Sequence, residues 1–112
     1  MACVSTFSVA VASLDPATLV ASGEADLAAV DDLRDALRRL ETEGSGDVLV
    51  DFRAVTFVDS SALGVLATSR RRLDEAGRGM QLVTTTPQVI RLLEVTNLDQ
   101  YIPVVDTVPE QG

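Results

Sequence analysis

A mixed, mostly parallel sheet of about five strands with amphipathic helices packed on it is the α/β fold this sequence predicts, and three observations predict it. Two short apolar runs are joined through Asp15-Pro16. Three later stretches place large apolar residues three and four apart, the spacing of a helix face. Between and after those stretches lie short, nearly continuous apolar runs of strand length. The opening hairpin is antiparallel, whereas strands joined through helices are parallel.

Phe7 to Ala12 and Ala17 to Ser22 are the hairpin strands, because Pro16 presets the turn between them, and Gly23 ends the second. From Leu27, the apolar residues at 27, 30, 33, 37 and 40 share one helix face, with Asp31, Asp32, Asp35, Arg38 and Arg39 mostly elsewhere on the wheel. An Asp35 and Arg39 pair at i, i+4 supports that helix. Asp26 is placed to cap its start, and Gly44 to end it in a left-handed turn. Val48-Leu49-Val50 with Asp51-Phe52 reads as a central strand covered on both faces and running to about Val58. Leu63, Leu66, Ala67 and Leu73 form a second helical stripe, which Gly77 and Gly79 stop, and Met80 to Thr84 is the fourth strand.

Thr86-Pro87 is a capping residue followed by proline at the first helical position, where a missing N–H is tolerated, and Val89, Ile90 and Leu93 face one way beyond it. Asn97 tolerates positive φ and ends this third helix before a last strand from Tyr101 to Val105. DTVPEQG, residues 106–112, is polar and expected to fray. The 112 residues fit one domain with a real core, 1–112, expected to be a monomer when free.

Composition narrows the chemistry. All nine positive charges are arginine, there is no lysine or histidine, and seventeen carboxylates set a net charge of -8. A Walker lysine, a Schiff base and a Ser-His-Asp triad are therefore impossible, and the commonest metal ligand and general base are missing. We expect no enzyme, no metal and no cofactor. The acidity opposes nucleic-acid binding, and the basic triplet Arg70, Arg71 and Arg72 reads as a solvated helix face. Cys3 has no intrachain partner, no apolar run reaches the roughly 18 residues of a membrane span, and no basic leader precedes Arg34. A soluble, cytoplasmic protein is the expectation.

FVDSSALGVL, residues 57–66, exposes a carboxylate and two hydroxyls where a strand passes into a helix. A helix start presents N–H groups without intrahelical partners and the positive end of the dipole, so either Ser60 or Ser61 could simply be the N-cap. The same place tolerates a phosphate, which brings roughly -1.5 to -2 charges and would sharply alter a surface already carrying Asp59 and Asp26.

At these residues the chain resembles the STAS domain, and within it the stand-alone bacterial anti-sigma factor antagonists. The match lies in DFRAVTFVDSSALGVL, in SGEADL at Ser22 to Leu27, and in the order of elements over nearly the whole chain. Ala62 and Asn97 stand where relatives often have glycine. The resemblance implies that Ser60 accepts a phosphate; Ser61, the adjacent hydroxyl, is the rival acceptor unless it is the cap. The resemblance also implies that Asp26, Asp59, Ser60, Ser61, Ala62, Leu63 and Gly64 meet the partner. That partner is an anti-sigma factor of the GHKL serine kinase type, and a PP2C-type phosphatase reverses the modification. Unphosphorylated antagonist binds the anti-sigma factor and frees the sigma factor; phosphorylation releases it. The alternative is a STAS accessory or sensory subunit of a lipid-transport ATPase complex or signalling assembly, without phospho-switching.

Overall fold

The computed structural model describes residues 7–108. In chain order they form β1 (Ser8–Leu14), β2 (Ala17–Ala25), a 3-10 turn (Leu27–Ala29), α1 (Val30–Glu43) and β3 (Val48–Val58). Next come α2 (Ser60–Glu75), β4 (Met80–Val83), α3 (Pro87–Val95), a second 3-10 turn (Leu98–Gln100) and β5 (Val104–Val105). The five strands make one sheet in the order β1-β2-β3-β4-β5. Only the β1–β2 pair is antiparallel, as the proline hairpin requires; the other three pairs are parallel. Cys3 and the last four residues of the polar tail lie outside the described residues, and Asp106 to Val108 form neither helix nor strand.

Strands β2 to β5 are laid down in sequence order, and right-handed crossovers between neighbours added in one direction bring the helices to a common face. Burial follows that rule. Ala17, Leu19 and Ala21 of β2 are buried, whereas Val20 between them is 41% exposed. Val48, Val50 and Phe52 of β3 are buried against Leu33, Leu37, Leu40, Leu63 and Leu66 in one core, while Leu49 is half-buried. The expected cover on both faces of β3 is thus corrected: the central strand has one helical face and one open face. Asp51, on the open face, is nevertheless buried, and it is neutralised by Arg53, whose Nη2 and Nε donate at 2.7 and 3.0 Å.

Several element ends differ from expectation for local reasons. Gly23 does not end β2; it adopts φ +91 beside an irregularity in the β2–β3 register, and the strand continues to Ala25. Gly44 is extended rather than left-handed, and the left-handed glycine is Gly46 at φ +72. What Gly44 supplies is space: a Cβ there would lie 2.7 Å from the Leu40 carbonyl oxygen and 3.0 Å from the Ala17 Cβ. Two of the last α1 carbonyls instead accept from Arg78, which donates to Leu40 and Glu41 at 3.1 and 3.0 Å and also to Gly46 in the following loop at 2.6 Å. Asn97 is left-handed as expected, at φ 60. The last strand shrinks to Val104–Val105 because the second 3-10 turn takes up the chain before it, and Tyr101 lies in a turn while Ile102 enters the core.

The charged pairs also rearrange. Arg39 meets Glu43 at 3.6 Å instead of Asp35. The arginine triplet is no free basic face, because Arg70 pairs with Asp74 at 3.0 Å and stacks 4.9 Å from the Tyr101 ring centroid, while Arg72 donates to Glu41 at 2.7 Å. The other Glu41 oxygen accepts from Ser69 at 2.6 Å, so this carboxylate fastens α1 to α2. Ala67 and Ile90 of the expected stripes are only half-buried, and Leu27 is 73% exposed.

Adding a Cβ at position 44 forces the end of α1 away from β2. Gly44→Ala is expected to lower stability by about 1–3 kcal/mol, read as a lower urea midpoint with an unchanged slope.

Candidate functional site

Two helix starts lie side by side at the C-terminal ends of neighbouring parallel strands, because β2 and β3 are paired through Ala25 and Val58. Asp26 caps the first 3-10 turn, its carboxylate accepting from the Ala28 N–H at 3.1 Å. Asp59 caps α2 in an extended conformation and accepts from the Ala62 N–H at 3.1 Å and from the Ser61 hydroxyl at 2.5 Å. The N-cap is therefore the aspartate, and neither serine plays that part. Aspartate serves well here because its short carboxylate reaches the free N–H groups and carries the charge the helix start favours.

Ser61 is half-buried with its hydroxyl spent on Asp59, whereas Ser60 is exposed. The two candidate acceptors are thus unequal. Asp26 and Asp59 are half-buried beside them, and Gly64 is exposed one turn on. Ala62 and Leu63 are 0% and 2% exposed, which removes them from the expected contact surface: their side chains belong to the core beneath it.

Burial raises the Asp59 pKa, but donation from the Ser61 hydroxyl and from the N–H groups of Ala62, Ser61 and Leu27 outweighs it and holds the carboxyl below its ordinary value. The Leu27 contribution links the cap of α2 to the start of the first turn. Asp51 is also held low, first by the Arg53 side-chain hydrogen bonds, against burial and with help from the Arg53 N–H and charge.

The turn carrying Ser60 is fixed from both sides. The Asp59 N–H donates to the Ala25 carbonyl at 3.2 Å. On the opposite side β4 has already ended, and the Gln88 side chain takes the place of a strand: its Oε1 accepts from the Val58 N–H at 3.0 Å and its Nε2 donates to the Val58 carbonyl at 2.9 Å. Thr86 sits at the cap position of α3 but makes no capping bond there; its hydroxyl donates to the Val55 carbonyl at 2.8 Å. Neither residue was legible as part of the site. Gln88 sits in an ordinary helical turn, and its role appears only when the short β4 leaves the end of β3 without a neighbour.

Among the described residues no group of three or more histidine, cysteine, aspartate or glutamate side chains could hold a metal ion, and no helix is long and apolar enough to cross a membrane.

Residues 9–111 match the family model of the STAS domain. The chain belongs to the STAS domain family. Curated proteins similar in sequence include the following two. A STAS-domain containing protein of Pseudomonas aeruginosa is 34% identical over 83 residues, 74% of this chain and 81% of that protein. The anti-sigma-B factor antagonist of Staphylococcus aureus is 26% identical over 76 residues, 68% of this chain and 70% of that one. Solved structures show the same fold. An anti-sigma factor antagonist from Mycobacterium paratuberculosis superposes with a TM-score of 0.85 at 24% identity, covering 96% of this chain and 92% of the other. The Bacillus cell fate determinant SpoIIAA in its phosphorylated form gives a TM-score of 0.64 at 19% identity over 89% and 91%.

Because the folded Asp59 and Asp51 carboxyls titrate below the unfolded value of about 3.9, their contribution to stability is present above that pH and is lost as pH falls through the folded values. Asp59→Ala is expected to cost about 1 kcal/mol at pH 7 and to flatten the loss of stability below pH ~4, both measurable from urea midpoints across a pH series.

Proposed function

We propose that this chain is an anti-sigma factor antagonist switched by phosphorylation of Ser60, acting in the cytoplasm as one STAS domain over residues 1–112. The observation that carries the reading is the exposed Ser60 hydroxyl at a rigid helix start, beside an aspartate that has already taken the cap. Family membership and the named antagonists among its relatives support it.

The switch follows from electrostatics. Ser60 is the first residue of α2, and the N–H groups that could fold around an added phosphate are already shared with the Asp59 carboxylate. A phosphate there brings roughly -1.5 to -2 charges next to Asp59 and close to Asp26, and it stays on the surface. A partner shaped to the unmodified surface meets repulsion and uncompensated desolvation, and ~1.4 kcal/mol of either weakens binding tenfold. The domain itself is preserved, since the modified group contributes nothing to the core. The partner is an anti-sigma factor of the GHKL serine kinase type, which supplies ATP and the catalytic groups; this chain is the phosphate acceptor and performs no catalysis. A PP2C-type phosphatase resets it. The contact surface is Asp26, Asp59, Ser60 and Gly64, with Ser61 at its edge.

Mixing the chain with the GHKL-type anti-sigma factors of its own genome and ATP, followed by fragmentation mass spectrometry, is expected to place one phosphate on Ser60 and none on Ser61. Ser60→Asp is expected to weaken binding at least about tenfold, while Ser60→Ala binds like the wild type and accepts no phosphate. Equal binding by both variants, or copurification with a transporter ATPase instead of a kinase, would overturn the reading.

A further inference from the structure

Alongside the acidic turn, α1 and α2 part to leave an open groove of about 490 Å³. One side is a row on α1, Val30, Arg34 and Arg38, each a turn beyond the last; the other runs along α2 from Ser61 through Val65 to Arg72. Leu27 stands at the mouth, 73% exposed and with no part in the core. The lining therefore combines an apolar strip with three of the nine arginines of a chain whose net charge is -8, and among the described residues it contains no carboxylate.

Those arginines are only partly neutralised. Arg72 is committed to the buried Glu41 at 2.7 Å. Arg38 is 3.7 Å from the same carboxylate oxygen and 55% exposed, so Glu41 serves two guanidiniums and holds the second weakly. Arg34 pairs at 2.9 Å with Asp31, itself 87% exposed, and such exposed pairs are easily exchanged. Three guanidiniums thus share two carboxylates around a strip of exposed apolar surface, an arrangement that complements an acidic, apolar-faced ligand.

We propose that this groove seats an acidic amphipathic segment of the partner protein, its apolar side chains on Leu27, Val30 and Val65 and its carboxylates on Arg34 and Arg38. The inference rests on the reading that an anti-sigma factor is the partner, and it adds which part of that partner is recognised. It also couples the groove to the switch. The groove ends at Ser61, next to Ser60, so a phosphate on Ser60 carries the same sign of charge as the segment beside it and helps to expel it. One face attracts the segment and the modified turn repels it.

The test uses the anti-sigma factor that phosphorylates Ser60 and measures its affinity for the full chain by calorimetry at two salt concentrations. Arg38→Glu is expected to weaken binding about tenfold or more and to reduce its salt dependence, with Arg38→Gln intermediate. Leu27→Ser, at an exposed position outside the core cluster, is expected to weaken it without changing the salt dependence. A photo-crosslinking residue at exposed Thr68 is expected to capture a partner peptide carrying at least two carboxylates and a large apolar residue. Wild-type affinity for Arg38→Glu and Leu27→Ser, with Ser60→Asp still releasing the partner, overturns the groove and leaves the switch. Loss of binding by the groove variants with Ser60→Asp unaffected removes the switch and keeps the groove. A captured peptide without carboxylates, or no anti-sigma factor bound by the wild type, overturns the inference.

Discussion

One carboxylate organises the functional end of this molecule. Asp59 closes a strand, caps α2 through the Ala62 N–H, holds the Ser61 hydroxyl and is also approached by the Leu27 N–H at the neighbouring helix start. A single charged group with two oxygens can satisfy several orphan donors only where they converge, and the pairing of the parallel strand ends at Ala25 and Val58 brings them together. With the donors so occupied, Ser61 is turned inward and Ser60 outward. The surface chemistry at this turn is a consequence of that allocation of hydrogen bonds, and a charge added to Ser60 acts on whatever lies outside the fold.

The frame beneath is held by polar groups that substitute for missing secondary structure. Arg78 closes the carbonyl end of α1 where the close approach of Gly44 to Leu40 and Ala17 leaves no left-handed cap. Gln88 completes β3 beyond the last residue of β4. Glu41 joins α1 to α2 through Arg72 and Ser69. Each is a side chain with paired donor or acceptor groups aimed at partners fixed by the backbone, the arrangement in which a partly buried polar group is stabilising instead of costly. The groove between α1 and α2 lies beside this last junction, so its shape is set by rigid helices and its charge by the arginines Glu41 does not fully neutralise.

Formal charge alone misdescribes this surface. A net charge of -8 points to an acidic face that repels anions, and the turn around Asp26 and Asp59 fits that description. Yet the arginines are not spread evenly: Arg34, Arg38 and Arg72 line one groove, while Arg70 is spent on Asp74 and Tyr101 and Arg53 on Asp51. Two neighbouring surfaces of opposite sign give a partner both a register and a reason to leave when one of them changes charge.

The sequence by itself determined the order of elements, the hairpin, the three helices and the Asp-Ser-Ser turn, because hydrophobic period, proline and asparagine act locally and leave their mark within a few residues. It also determined that Asn97 is left-handed and that Asp26 caps, although what Asp26 caps is the 3-10 turn leading into α1, which itself begins at Val30. Only the tertiary structure decided which face of β3 is covered, since that depends on strand order and crossover hand rather than on the apolar run Val48–Val50. Tertiary structure likewise chose Asp59 over the serines as the cap, withdrew Ala62 and Leu63 from the surface and exposed Leu27. Neighbouring residues able to cap one helix, or five residues on one helical stripe, are equivalent in sequence until packing fixes where the chain enters the turn. Burial then separates them.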